Sequence, residues 1–349
     1  MNARTTFLRW IGVICLSAIF AACEVAIDVN TAEFDHDIES DDSPWTHENF
    51  DDADDKFTFA IFSDLYGGER DRIFNIAMAQ LNLLRPELIL SIGDLIDGGT
   101  EDRNQLTKEW NEFDAKVSVT RAPAFYVGGN HDLTNLTMRD VWTERYAARY
   151  YHFIYKDVLF LILDSEDFED RRMQEIYRAR AVALEILDGD EPEKWPETEY
   201  FKMPERSTGS VRAEQAAYFR RIIADNPQVR WTFLFMHKPV WRNESATEFQ
   251  SIEAALSDRP YTVINGHLHS YSLTERNGRD YIHLATTSGS QNSADEMAFD
   301  HVTLVTIAEG EPSIVNLRMD GILDKSGHIP LDGDDLCYQA SACQPAATE

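Results

Sequence analysis

The chain has 349 residues, 43% hydrophobic and 11% aromatic, with 17 Gly and 12 Pro, which excludes a wholly disordered or collagen-like chain and suits one large catalytic domain or two small ones. Its 61 acidic residues against 32 basic ones leave a formal net charge of -29, which excludes a general electrostatic binder of nucleic acid. An anionic ligand would be repelled at long range, so a site for one must bring its own positive charge.

Arg4 and Arg9 precede an uncharged apolar run from Trp10 to Ala22. That run is too short to span a bilayer and has the length of a signal-peptide core. It ends Phe20-Ala21-Ala22-Cys23, similar to a bacterial lipobox, with Phe where Leu is usual. The reading is a signal peptide over 1–22 and a lipid-bearing Cys23, hence an exported lipoprotein of the cell envelope, facing the periplasm or in the outer membrane. The alternative is cleavage nearby and secretion. Residues 33–55 hold eleven Asp or Glu and no Lys or Arg, so 23–56 is read as a self-repelling acidic tether.

The run Phe57–Phe62 reads as a strand, and Ile73, Ile76, Ala77, Leu81 and Leu84 give a helical stripe over 71–84. Leu88–Ile92 reads as the next strand, a helix around 102–117 follows, and Ala124–Val127 is a third strand. Alternating strand and helix predict a parallel β-α-β-α-β start. Residues 150–164 carry a hairpin pattern around Lys156-Asp157. The charged stretch 168–207, broken by Pro192, Pro196 and Pro204, is an insertion, partly helical. It is either a lid over the site or a surface excursion. A helix near 211–225, strands at 231–235 and 261–264, and several strands from 271 to about 318 follow, with an Asn277-Gly278 hairpin turn. The body is read as one domain, 57–330, and 331–349 as a tail. In that tail Cys337 and Cys343 form a small disulfide or remain free thiols.

Polar residues cluster where the strands end: Ser63-Asp64-Leu65-Tyr66, Gly93-Asp94-Leu95-Ile96-Asp97, Gly129-Asn130-His131-Asp132, His237 and Gly266-His267-Leu268-His269. In an open α/β sheet the carboxyl ends of the strands share one edge, where ligands bind. Strand alternation would put His267 and His269 on one face. Carboxylates, an amide oxygen and imidazoles suit two divalent or trivalent ions such as manganese, iron or zinc, and one carboxylate can bridge them. Lys238 and Arg242 read as solvated surface charges, with a grip on substrate as the alternative. Thr286, Thr287, Ser288 and Ser290 either touch the site or make a polar turn. His301 reads as structural, and Trp195 as packing rather than a stacking platform.

This ordered set resembles the calcineurin-like metallophosphoesterase superfamily, over about 57–330. The resemblance implies a four-layer α/β/β/α sandwich of two mixed β-sheets and a metal-dependent phosphoesterase acting on a phosphomonoester or phosphodiester through a metal-activated water. Carried over motif by motif, Asp64 and His269 would bind the first metal, Asp94 would bridge, and Asn130, His237 and His267 would bind the second. His131 would meet the phosphate and act as general acid, with Asp132 orienting it. Tyr66 stands where the family has His. Tyr66 could ligate as phenolate, Asp97 could fill the gap as in the purple acid phosphatases' motif, or the first site is weak. Two rival readings are a degenerate member that binds metal or phosphate without turnover and a structural envelope lipoprotein.

Overall fold

A computed structural model describes residues 34–343, apart from 41, 49, 51–56 and 309. The signal segment and Cys23 therefore lie outside the described residues. In chain order the elements are β1 (Phe34–His36), β2 (Phe57–Phe62), α1 (Ile73–Leu84), β3 (Leu88–Ser91), α2 (Arg103–Val117), β4 (Ala124–Phe125), α3 (Asn130–Leu133) and α4 (Leu136–Tyr146). Next come β5 (Tyr151–Tyr155), β6 (Val158–Ile162), α5 (Asp170–Leu187), α6 (Glu199–Lys202), α7 (Glu205–Thr208), α8 (Ala213–Asp225), β7 (Trp231–Met236) and α9 (Thr247–Ala255). The chain continues through β8 (Tyr261–Asn265), β9 (Ser272–Arg276), β10 (Arg279–His283), β11 (His301–Ile307) and β12 (Ser313–Arg318).

The strands form two mixed sheets, ordered β12-β11-β2-β3-β4 and β1-β5-β6-β7-β8-β10-β9. Strands β2, β3 and β4 run parallel, as do β6, β7, β8 and β10. Period-two alternation decides which face each residue joins. Phe57, Phe59 and Ile61 point between the sheets with Phe153, Phe160, Phe233 and Phe235. Ala60 and Phe62 point outward into a core closed by α1, α2 and α4. Leu161, Leu234 and Val263 do the same on the other side under α8 and α9. The result is the four-layer α/β/β/α sandwich. Asp102 caps α2 by accepting from the amides of Asn104 and Gln105.

Three boundaries differ from the sequence expectation. The acidic segment is not an extended tether throughout. Phe34–His36 pairs antiparallel with β5, and Trp45 is buried between the sheets against Phe125. Aromatic burial there outweighs the charge repulsion between neighbouring acids, whose carboxylates stay at the surface. The tail is not separate from the body either. Arg70 donates to the Cys337 carbonyl at 3.0 Å, Tyr338 is buried, and Cys337 is bonded to Cys343. Finally, β4 is only two residues long, because the chain leaves the sheet early to form the Gly128–Asp132 turn.

His301 in β11 is buried, and its Nε2 accepts the Ala285 amide at 3.1 Å. Burial pushes its pKa down to about 4. The folded state therefore resists a proton that the unfolded chain accepts near pH 6.5. Stability from this group is complete above that pH and is lost as pH falls toward 4, by about 1.4 kcal/mol per pH unit. Urea unfolding in EDTA should show the pH 7.0-to-4.5 loss shrinking in His301→Gln relative to the unaltered chain. An identical loss in both proteins contradicts this reading.

Candidate metal centre

The parallel strands deliver their following loops to one edge, and Asp64, Asp94, Asn130, His237 and His267 arrive there after β2, β3, β4, β7 and β8. Asp94, His237 and His267 offer ligand atoms within 4.8 Å of one another. Asp64, Asp94 and His269 do the same, so Asp94 is common to both groups. Asp64, Asp94, His267 and His269 all have positive φ, at 51°, 55°, 83° and 57°. Left-handed backbone at four non-glycine residues is costly and is characteristic of functional sites. It also corrects the expectation that His267 and His269 share a strand face. Both sit in a turn beyond β8, and their rings diverge into the two groups.

Two glycines are required by close approach. A Cβ at Gly129 would lie 2.3 Å from Asp94 Oδ1, and one at Gly266 would lie 2.3 Å from Asp64 Oδ2.

Each of the three imidazoles has one ring nitrogen on a backbone carbonyl. His237 Nδ1 donates to Ile92 O at 2.7 Å, His267 Nε2 to Arg206 O at 2.6 Å, and His269 Nδ1 to Ser290 O at 2.6 Å. A carbonyl only accepts, so each donation fixes the tautomer and turns the opposite nitrogen toward the carboxylates. His237 Nε2 then lies 3.1 Å from Asp94 Oδ2, and His269 Nε2 lies 3.3 Å from Asp64 Oδ1. His237 Nε2 and Asn130 Oδ1 are buried atoms with no hydrogen-bond partner. An imidazole nitrogen and a carboxylate oxygen at 3.1 Å share either a proton or a metal ion; burial opposes charge on His237, but the Asp94 carboxylate pushes its pKa up to about 9. These residues therefore fit metal ions. Burial opposes charge on Asp94, but His237 and His131 hold its carboxyl well below the usual range.

His131 lies outside both groups. Its amide donates to Asp94 Oδ1 at 2.8 Å, and its Nδ1 donates to the Asp97 carbonyl at 2.7 Å. The expectation that Asp132 orients this ring is corrected. The buried Asp132 carboxylate accepts the amides of Leu95, Ile96 and Gly129 instead. It clamps the Asp94 turn to the Asn130 turn, because three converging amides outcompete one imidazole. Asp97 is exposed and belongs to neither group; its main chain, not its carboxylate, serves the site.

The Tyr66 ring packs into the outer core, and Lys116 lies over it at 5.7 Å. Burial and the Glu69 carboxylate push its pKa up, against phenolate formation. The first group thus has Tyr66 at the position where the family has an imidazole. Because the hydroxyl is held against ionisation, Tyr66→Phe should leave metal content unaltered. Loss of a metal equivalent in that variant, counted by mass spectrometry, would contradict the assignment.

Lys238 also departs from expectation. It is 1% exposed, pairs with Glu166 at 2.7 Å, and donates to the Glu205 carbonyl at 3.0 Å. A fully buried ammonium needs such partners, and it ties α7 to the body. Arg242 is exposed, over the Trp241 ring. Thr286, Thr287 and Ser288 brace the loops through Asp300, the His301 carbonyl and Ser63, while Ser290 reaches the site through its carbonyl. Trp195 packs within the insertion.

The insertion itself reaches the site. Arg206 supplies the carbonyl that holds His267, and Arg180 of α5 donates to His131 Nε2 at 3.2 Å. The sequence reading missed Arg180, although it interrupts the apolar stripe Met173, Ile176 and Ala183. An arginine on the buried face of a helix was the available signal. Ser63, which donates to Asp64 Oδ2 at 2.5 Å, was also missed, since serine before aspartate is unremarkable in sequence.

This fold and donor set define a metal-dependent phosphoric ester hydrolase. The chain belongs to the calcineurin-like phosphoesterase family, whose model matches residues 57–271. Among solved structures the fold is similar to a dimetal phosphatase from Danio rerio, at 15% identity over 75% of this chain and 96% of that one, with a TM-score of 0.53. It is also similar to PhoD, at 12% identity over 78% of this chain and 67% of that one, with a TM-score of 0.52. No curated protein matches the chain in sequence.

Proposed function

We propose that this chain is an exported enzyme that hydrolyses a phosphomonoester or phosphodiester with two metal ions. The observation that carries the reading is the tautomer-fixed trio His237, His267 and His269 converging on Asp64 and Asp94, with Asp94 common to both groups. Asp94, Asn130, His237 and His267 would hold one ion, and Asp64, Asp94 and His269 the other. Their mixture of hard and borderline donors suits manganese, iron or zinc. When bound, the ions supply the Lewis acidity that neutralises phosphate oxygens and activates water. His131, kept out of both groups, donates from Nδ1 to the Asp97 carbonyl and accepts from Arg180 at Nε2; it would serve the leaving oxygen as proton donor in its doubly protonated form, with Nε2–H turned from Arg180 to that oxygen. Asp132 holds the two turns in register so that this ring and Asp94 keep their spacing.

Support for export comes from Arg4, Arg9 and the apolar run to Cys23, and from the Cys337–Cys343 bond, a feature of oxidising compartments. Lipidation of Cys23 would tether the enzyme to a membrane; among the described residues no helix is long and apolar enough to cross one. The test of activity is hydrolysis of p-nitrophenyl phosphate and bis(p-nitrophenyl) phosphate by the metal-loaded chain. Turnover of at least one ester, abolished by EDTA and restored by metal, is expected. No turnover of either with manganese, iron or zinc overturns the reading.

A further inference from the structure

Arg180 is a cation with no counter-ion. It is 5% exposed, and no carboxylate lies within ion-pair distance of it among the described residues, although the chain carries nearly twice as many acids as bases. The buried Lys238 pairs with Glu166 at 2.7 Å, and the buried Arg139 is held by the carbonyls of Glu166 and Phe168, whereas Arg180 has neither a carboxylate nor a carbonyl among the described residues. Removing a guanidinium from water without an anion is unfavourable. The surroundings are nevertheless shaped around it. Gly99, at φ +65°, leaves the space that Nη1 fills, since a Cβ there would lie 2.8 Å from that atom. The hydrogen bond it makes is to His131 Nε2, a neutral acceptor that leaves the charge uncompensated.

The position of this charge matters. Arg180 touches His131, the residue read as proton donor to the leaving oxygen, and not the carboxylates and imidazoles of the two metal-binding groups.

We propose that Arg180 is a substrate-binding, specificity-determining residue that takes an anionic oxygen carried by the leaving group itself. The favoured substrate class is then a phosphate compound whose leaving portion bears its own negative charge close to the scissile oxygen, the simplest case being a phosphoric anhydride. In its hydrolysis the oxygen of water bonds to phosphorus, the bridging P–O bond breaks, and the departing phosphate takes a proton. Arg180 forms no covalent bond and holds the departing phosphate through its N–H groups, which match phosphate geometry. The insertion is thereby the element that selects substrate, and α5 carries this side chain to the site.

This inference rests on the proposed phosphoesterase reading. The test compares inorganic pyrophosphate with p-nitrophenyl phosphate, using the full metal-loaded chain, Arg180→Gln and Arg180→Lys. A charged hydrogen bond lost to substrate corresponds to about 10- to 100-fold. Arg180→Gln should lower kcat/KM for pyrophosphate at least tenfold more than for the ester, chiefly through KM, and Arg180→Lys should recover part of that selectivity. An equal fall for both compounds would mean that Arg180 only braces His131 and would overturn the proposal. If neither variant folds, the unaltered enzyme decides: KM for pyrophosphate at least tenfold below that for the ester supports it, and an equal or higher KM overturns it. No hydrolysis of either compound by the unaltered metal-loaded chain overturns the phosphoesterase reading itself, and this inference with it.

Discussion

Replacing His131 by Ala is expected to lower kcat by about 100- to 10,000-fold, the range for removal of a positioned proton donor, with the metal content unchanged. The separation of the two effects follows from the geometry. The His131 ring belongs to neither metal-binding group, and its Nδ1 is held by a carbonyl rather than by a ligand. Its contribution to the ligand set is the backbone amide on Asp94 Oδ1, which the alanine variant keeps. A loss of metal together with activity, measured on one sample, would show that the ring is a ligand after all.

Replacing Asp94 by Asn should do the opposite and strip the centre. Asp94 is shared by both groups and is buried, fixed at one oxygen by the His131 amide and facing His237 Nε2 with the other. The amide keeps the shape but removes the charge that both ions would share. Affinity at each position should fall at least about 100-fold, the upper end for losing even an outer hydrogen-bonding partner of a ligand, and hydrolysis should become undetectable. Far-UV circular dichroism should be unaltered, because the Asp132 clamp and the carbonyl bonds to the imidazoles do not involve Asp94. Two tightly held metals in the variant would contradict the shared role.

The motif residues were legible because each lies in a short segment directly after a hydrophobic strand, and a parallel sheet brings such ends together regardless of loop length. What escaped the sequence reading depends on contacts distant in sequence. Tyr66 packing under Lys116, Lys238 being buried against Glu166, and Trp45 filling the space between the sheets are each decided by packing from another part of the chain. Local charge counting placed Lys238 on the surface and residues 33–55 in solvent, because it does not register partners brought in by the fold. The turn at His267 and His269 reversed an alternation argument that holds only while the strand continues, and β8 ends at Asn265. Arg180 is the instructive omission. It sits in an insertion that composition alone marks as peripheral, yet its place on an apolar helix face, with Ile176 and Ala183 as neighbours, marks a side chain committed to the interior.

The missing first-motif imidazole gives the centre two unequal halves. Asp94, His237 and His267 form one group of three and Asp64, Asp94 and His269 the other; in the proposed centre the unpartnered Asn130 Oδ1 would add a fourth donor to the first of these, while Asp64 is already engaged by Ser63 and the His267 amide. The measurement that tests the account most directly is therefore calorimetric titration of the EDTA-stripped chain with manganese or zinc, with bound metal counted afterwards. The account predicts two equivalents per chain, the second at least tenfold weaker than the first, and both lost in Asp94→Asn. A single equivalent that persists in Asp94→Asn, or none in the unaltered chain, would contradict a shared two-metal centre.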